Sequence, residues 1–271
     1  MKNITPKRIT LLTSKELEGY THDDHLLINE LINRGFLVQS KPWETFEDEG
    51  EDLFIIRTTW NYTEHFDEFI QCLEKIKDRL WNPLPLVKWN SNKMYLVEFF
   101  KKGLGVMPLY LARDEESLKN CLDELGGEEF VAKPPVSASA KGLIRFNRSN
   151  PPLIYKEMLI QRFYPEILEG EISLIHFNRK FAYAVKKIPK NGDFRVQEEH
   201  GGTVIPYTPT KEELILAMEV LKEVPGECLY ARVDIVPNIG VIELECIEPS
   251  LFFGRCENGA KFFVDEISNL L

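Results

Sequence analysis

Cys228-Leu-Tyr-Ala-Arg-Val-Asp-Ile-Val-Pro-Asn-Ile-Gly-Val-Ile-Glu-Leu-Glu-Cys-Ile-Glu-Pro249 is the stretch on which the reading of this chain turns. Two alternating runs flank Pro237-Asn238-Ile239-Gly240, a turn-like tetrad, and predict a β-hairpin. With those four residues as the loop, Val236 faces Val241, Asp234 faces Glu243 and Arg232 faces Glu245. Strand side chains alternate between faces, so Arg232, Asp234, Glu243 and Glu245 project one way. Leu229, Ala231, Val233, Ile235, Ile242, Leu244 and Cys246 go to the other face and into a core. Opposed carboxylates about 5 Å apart repel unless something positive lies between them. Two arrangements answer that need: Arg232 closes a salt-bridge ladder, or a divalent metal binds. Oxygen-only ligands suit Mg²⁺ or Mn²⁺, and Mg²⁺ is usually shared between a few carboxylates and substrate phosphates. The choice depends on whether the remaining chain holds a phosphate site.

The 271 residues suffice for one large α/β unit or two to three small lobes around a substantial core. No segment approaches the ~20 apolar residues that span a bilayer, so no membrane partner is expected. Met1-Lys-Asn-Ile-Thr-Pro-Lys-Arg8 has no apolar run behind its charges, which speaks against a secretory signal. Cys72, Cys121, Cys228, Cys246 and Cys256 are scattered, odd in number and free of C-x-x-C spacing. They predict a reduced, cytoplasmic setting with neither a zinc site nor a disulfide frame. A net charge of -10 opposes nucleic-acid or anionic-membrane binding but leaves room for an anionic small ligand in a local basic pocket.

Arg8–Thr13, Phe36–Gln39 and Leu53–Arg57 read as short apolar strands, separated by a helix from Asp23 to Asn33 that Gly35 stops. Phe66, Phe69, Ile70, Leu73, Ile76 and Leu80 mark a further helix. Strands alternating with helices imply parallel βαβ units, a Rossmann-like lobe over residues 1–85 without a G-x-G-x-x-G fingerprint. Arg57-Thr-Thr-Trp-Asn-Tyr62 stands at the carboxyl end of its third strand, where open α/β sheets collect ligands. Arg57 is therefore a candidate substrate anchor, with a plain ion pair as the competing reading; Thr59, Asn61 and Arg255 are further substrate candidates. Asn82-Pro-Leu-Pro85 marks the first boundary.

Asn90-Ser-Asn-Lys93 caps a helix running to Lys102. Lys93 falls in its first turn, where the macrodipole disfavours a cation, and so points to an anion nearby. Glu129–Pro134 is a strand carrying Lys133, followed by Pro135-Val-Ser-Ala-Ser-Ala-Lys-Gly142, a small hydroxyl-bearing loop able to lay N–H groups around phosphate oxygens. Leu159–Phe163 is a strand. Ile172–Phe177 and Lys180–Ile188 form a hairpin about Asn178-Arg179, and Thr210-x-x-Glu213 is a capping box opening a helix. Lys93, Lys133, Lys187 and Arg195 thus stand on separate elements, opposite one acidic face. Spread cations with metal-bridged phosphates are the requirement of phosphoryl transfer, which is mostly positioning and electrostatics and needs no protein nucleophile. G-x-S-x-G, H-E-x-x-H, P-loop and protein-kinase signatures are absent from the sequence. A phosphate site among these cations would favour the metal reading of the hairpin over the salt-bridge ladder.

From Asn82 onward the chain resembles the ATP-grasp superfamily, near the prokaryotic glutathione-synthetase-like ligases. The matching pieces, in the family's order, are Asn92-Lys93, Val131-Ala-Lys-Pro134, Gln161-Arg-Phe163 with Glu169-Gly-Glu171, Ile188-Pro189 through Arg195-Val-Gln197, and Val233-Asp234 through Glu243-Leu-Glu245. Arg57-Thr-Thr-Trp-Asn-Tyr62 and Glu245-Cys-Ile-Glu-Pro-Ser-Leu251 are similar to the branch of cyclo-ligases that closes O-ureido-serine to cycloserine. The resemblance implies an ATP-grasp fold, α/β and α+β, behind a Rossmann-like pre-domain. A small lid lobe would cover residues 86–160 and a C-terminal lobe with the metal hairpin residues 161–271.

The resemblance also implies residue roles. Lys93 and Lys133 would meet the α/β-phosphates, beneath a loop including Ser137, Ser139, Lys141 and Gly142. Gln161, Arg162 and Phe163 would form the hinge beside adenine, and Glu169 with Glu171 the ribose side. Lys187 and Arg195 would face the transferred phosphate, and Asp234, Glu243 and Glu245 would bind two Mg²⁺. Glu245 stands where many relatives have Asn, and the loop after Lys133 is poor in glycine. The expected activity is ATP-dependent ligation of a small, amino-acid-like carboxylate to an amine-type nucleophile, releasing ADP. A small-molecule kinase and a nucleotide-binding protein without turnover are the alternatives. A homodimer is compatible with all three.

Overall fold

The computed structural model describes residues 6–17, 23–138, 141–196 and 201–271. Three sheets follow one another along the chain. The first is parallel: β1 (Arg8–Thr13), β2 (Leu37–Pro42), β3 (Leu53–Thr58) and the two-residue β4 (Leu80–Trp81), in the order β2-β1-β3-β4. Its inner strands β1 and β3 are buried because helices cover both faces, whereas the edge strand β2 (Leu-Val-Gln-Ser-Lys-Pro) is largely exposed or half-buried. Helix α1 (Asp24–Asn33) and the C-terminal α7 (Gly259–Ser268) close one core around Leu11, Leu27, Ile55 and Phe263. Helix α2 (Phe66–Glu74) closes the other, with Leu12, Phe54, Ile56 and Phe69. The helix expected through Leu80 ends at Glu74, and Ile76, just before a 3₁₀ turn (Lys77–Arg79), and Leu80 in β4 reach the same core. Burial reproduces a helical apolar spacing without a continuous helix.

Helix α3 (Leu84–Asn90), entered through Pro83 with Pro85 in its first turn, was masked in the sequence by those prolines, which are tolerated at a helix start. Helix α4 (Met94–Lys101) follows immediately after Lys93. The second sheet is antiparallel, in the order β5-β8-β6-β7, from β5 (Leu109–Ala112), β6 (Glu129–Lys133), β7 (Ile144–Asn147) and β8 (Met158–Arg162). Helix α5 (Glu115–Leu125), opened by an Asp114/Ser117 capping box, packs on it. Gln161 and Arg162 pair with β6, so both belong to this sheet.

The third sheet runs β11-β10-β9-β12-β13, from β9 (Glu171–Phe177), β10 (Lys180–Ile188), β11 (Thr203–Tyr207), β12 (Tyr230–Val236) and β13 (Gly240–Glu245). Asn178 and Arg179 turn the β9/β10 hairpin with φ of 48° and 60°, as a two-residue loop requires. Helix α6 (Lys211–Lys222) starts at the Thr210/Glu213 capping box.

The acidic hairpin differs from expectation by one residue. Val236 pairs with Gly240 and Ile235 with Val241, then the register shifts so that Asp234 pairs with Glu243 and Arg232 with Glu245. The turn is tighter than the tetrad implied, and a bulge at Ile242 restores the expected pairing. Ile242 consequently leaves the core face assigned to it and lines the cavity described below. Gly240, with φ 140°, is required here, since a Cβ would stand 2.7 Å from Gly105 O. That close approach lets Val241 bond Gly105 and Met107 across the hairpin's outer edge (3.0 and 2.8 Å), which protects it from foreign strands.

Candidate active site

Between the second and third sheets lies a cavity of about 720 Å³, closed on one side by residues following β3. Its acidic wall is the hairpin. Suitable oxygens of Asp234, Glu243 and Glu245 all lie within 4.8 Å of one another. Asp234 is nearly fully buried, accepts from Ser173 Oγ (2.6 Å) and Arg232 Nε (2.9 Å), and pairs with Lys187 Nζ at 2.9 Å. Glu245 is bound by Arg232, and Glu243 lies 3.2 Å from Lys93 Nζ.

Cations converge from separate elements. Lys93 Nζ also donates to Ser137 O, and its backbone N donates to Pro135 O (2.8 Å), tying the start of α4 to the loop after β6. The anion that its helix-start position implied is Glu243. Lys133, at the end of β6, leans 3.4 Å from Ile242 O. Lys187 on β10 pairs with Glu171 (3.1 Å) and Asp234. Arg195 lines the cavity while paired with Asp193 at 2.8 Å.

Burial works to raise Asp234, but Arg232 and Lys187 hold its carboxyl below the ordinary range. Burial would likewise raise Glu243, and Lys93 and Lys133 outweigh it. Glu245 is pushed up to about 7 by burial, which Arg232 only partly offsets, and Glu248 up to about 8 by burial and then by Glu245. Burial brings Lys133 down to about 8 although Glu243 opposes it. The trio is an all-oxygen donor set whose oxygens converge within 4.8 Å, and it fits Mg²⁺. Arg232 does form the ladder that the first reading weighed, so ladder and metal donor set coexist on one face.

The far end of the cavity is apolar. Val131, Leu143, Ile167 and Phe194 line it beside Gln161. Phe163 lies buried behind them, edge-on to Phe194 (6.0 Å) and under the Arg145 guanidinium (3.6 Å).

Of the candidates named from sequence, the cavity wall gathers Lys93, Lys133, Ser137, Lys141, Gln161, Glu171, Lys187, Arg195, Asp234, Glu243 and Glu245. Gly142, Arg162, Phe163 and Glu169 lie outside that wall, and Ser139 lies outside the described residues. The substrate candidates are displaced. Arg57 is buried against Asp24 (2.8 Å) and donates to Pro249 O (3.3 Å), so the ion-pair reading describes it. Thr59 is fully buried, Asn61 bonds Glu44 (2.7 Å) and Trp43 (2.9 Å), and Arg255 stands away from the wall. Trp60 and Tyr62 of the same segment line the cavity instead, together with Glu248, Ser250 and Phe252. Trp60 and Tyr62 follow the strand's carboxyl end, a signal that position alone carried.

A profile described as the prokaryotic glutathione synthetase ATP-grasp domain matches residues 92–252, and one described as the D-cycloserine synthetase DcsG N-terminal domain matches residues 9–82. The cycloserine biosynthesis protein DcsG of Streptomyces lavendulae is 27% identical over 265 residues, covering 84% of this chain and 85% of its own. Glutathione synthetase of Synechocystis is 26% identical over 201 residues, 66% of this chain and 61% of its own. The crystal structure of DcsG shares the fold at a TM-score of 0.84 and 21% identity, covering 97% and 99% of the two chains. The ligase PsnB, bound to a phosphomimetic variant of its minimal precursor, Mg and ADP, shares it at 0.67 and 13% identity, covering 97% and 98%. No helix among the described residues is long and apolar enough to cross a membrane. Because the first profile spans more than half of the sequence, this chain belongs to the prokaryotic glutathione synthetase ATP-grasp family and is an ATP-grasp ligase.

Proposed function

We propose that the protein joins a small, amino-acid-like carboxylate to an amine-type nucleophile through an acyl phosphate, releasing ADP and phosphate. One observation carries this reading: three carboxylates within 4.8 Å face lysines from three separate elements inside one cavity. The adenine would occupy the apolar end beside Gln161, with the Gln161–Phe163 backbone as hinge and Glu171 toward the ribose. Lys93 and Lys133 would meet the nucleotide's inner phosphates, and Lys187 and Arg195 the transferred group. Asp234, Glu243 and Glu245 would hold Mg²⁺, with Mn²⁺ as a second metal of the same oxygen preference, and the ion would neutralise phosphate oxygens as charge shifts.

A substrate carboxylate oxygen attacks the γ-phosphorus while the bond to the β–γ bridging oxygen breaks, releasing ADP. The amine nitrogen then attacks the acyl carbon, the bond to phosphate breaks, and the nitrogen loses its proton to water. The protein's part is to orient in-line groups and balance charge, so no nucleophilic side chain is needed.

Screening ADP release over carboxylate and amine pairs identifies the substrates, and ¹⁸O placed in the carboxylate tests the path. The expected result is one ¹⁸O atom in the released phosphate. A stable phosphorylated product assigns a kinase instead, and Mg-ATP binding without turnover over the whole panel refutes the ligase.

A further inference from the structure

The carboxylates of the cavity are paired with one exception. Glu171, Asp234, Glu243 and Glu245 each meet Lys187, Arg232 or Lys93. Glu248 lines the same cavity, yet among the described residues its carboxylate forms no ion pair and no hydrogen bond to another side chain. It also stands outside the group of oxygens that could share a metal.

The backbone that carries it is held unusually firmly. Successive carbonyls each accept from a different side chain: Ile247 O from Tyr230 Oη (2.8 Å), Glu248 O from Trp60 Nε1 (3.4 Å) and Pro249 O from Arg57 Nη1 (3.3 Å). Ser250 O accepts from Arg232 Nη1 (3.3 Å) and Leu251 O from Tyr183 Oη (2.6 Å). Such a clamp fixes the position of Glu248 before any ligand arrives. Around it the cavity wall is aromatic, with Trp60, Tyr62 and Phe252. Tyr62 and Glu248 line one cavity, and after burial itself the charge of Glu248 is the largest influence raising the Tyr62 hydroxyl.

We infer that Glu248, walled by Trp60, Tyr62 and Phe252, receives the ammonium group of the substrate, and that the site selects ammonium-bearing substrates over their amino-free analogues. This deepens the ligase reading, on which it rests, by giving the substrate end of the site its chemistry. A fixed, unpaired carboxylate among aromatic faces is what a primary ammonium requires: one charge-assisted acceptor and electron-rich rings in place of water. Burial and then the charge of Glu245 hold the carboxyl up, more than Lys93, which forms no ion pair with it, offsets, and a bound ammonium would supply the missing counter-charge. Arg57 does not serve this end as an anion anchor. It acts from behind, as one of the donors that fix the Glu248 segment.

Calorimetry on the Mg-ADP-saturated protein tests the inference, with both enantiomers of alanine and serine as ammonium probes and lactate, glycerate and propionate as amino-free probes. The wild type is expected to bind at least one ammonium probe about tenfold or more tighter than its amino-free counterpart. Glu248→Gln should lose that preference with unchanged Mg-ADP affinity and an unchanged melting temperature, and Glu248→Asp should recover part of it. Equal affinity for alanine and lactate overturns the assignment. So does a Glu248→Gln protein that keeps the preference, or the absence of binding by every ammonium probe. If the preference depends on Glu248 but no carboxylate and amine pair releases ADP, the ligase reading fails and the ammonium site stands.

Discussion

Lys187 and Asp234 stand two strands apart in the third sheet, yet Lys187 Nζ lies 2.9 Å from Asp234 Oδ2. The strand between them contributes Glu171, in register with Lys187, and Ser173, in register with Asp234. The lysine therefore reaches diagonally over β9 and closes a charge network that Arg232 extends to Glu245. In the free protein these cations balance carboxylates that the proposed reaction would hand to a metal, leaving Lys187 to turn toward phosphate.

Glu243 tests the metal assignment. Glu243→Gln keeps the size of the side chain and removes one negative oxygen, so steady-state ADP release should fall by at least about a hundredfold. The circular dichroism spectrum should be unchanged. Chelating divalent ions should abolish turnover in the wild type, and added Mg²⁺ should restore it. A Glu243→Gln protein with undiminished, Mg-dependent turnover refutes the role.

Lys133 predicts a pH dependence of nucleotide affinity. Burial brings its ammonium down to about 8 in the free protein. Below that pH it carries the charge that a phosphate needs, and above it the charge must be regained on binding. Mg-ATP affinity measured by calorimetry should fall by up to about tenfold per pH unit above pH 8. Lys133→Met should bind more weakly and lose this dependence.

Asp24 and Arg57 form a buried pair whose role is structural. Asp24→Asn strands the guanidinium without its counter-charge, and urea unfolding should show a loss of about 3–5 kcal/mol. Asp24→Leu with Arg57→Met removes both charges and should cost less than Asp24→Asn alone. A larger cost for the double variant than for the single one contradicts this account.

His176 should govern part of the acid response. Its Nδ1 contacts Leu174 O at 3.1 Å, its Nε2 has no partner among the described residues, and burial lowers its pKa to about 4. An unfolded histidine takes up a proton near pH 6.5, so between pH 6.5 and 4 the unfolded chain binds more protons than the native one. The stabilisation is complete above pH 6.5 and is lost as pH falls toward 4, by about 3 kcal/mol in all. His176→Phe should flatten the stability profile in that window, and an unchanged slope shows that another group titrates there.

The periodicity of the chain was enough to read most of its elements. Alternation gave β9, β10 and β12, and the Thr210/Glu213 box marked the start of α6, because these signals depend only on neighbouring residues. Helix α3 and strands β4, β7 and β11 were not legible, since prolines obscured the first and tertiary pairing alone defines the short strands. The bulge at Ile242 was hidden for a related reason. Nothing local distinguishes a tetrad loop from a tighter turn plus a bulge until Gly105 and Met107 pack against the hairpin's edge.

The site divides in the same way. Which acids share a face followed from the sequence by itself, because alternation along a strand is a property of backbone geometry. That Lys93, Lys133 and Lys187 meet those acids was anticipated as chemistry, but which other side chains join them was not. Arg57 and Trp60 are near neighbours in one segment, and only the folded chain turned the first into a buried ion pair and the second to the cavity wall. Long-range packing made that choice: Asp24 and the carbonyl of Pro249 offered the guanidinium a complete set of partners, and no sequence neighbour carries that information.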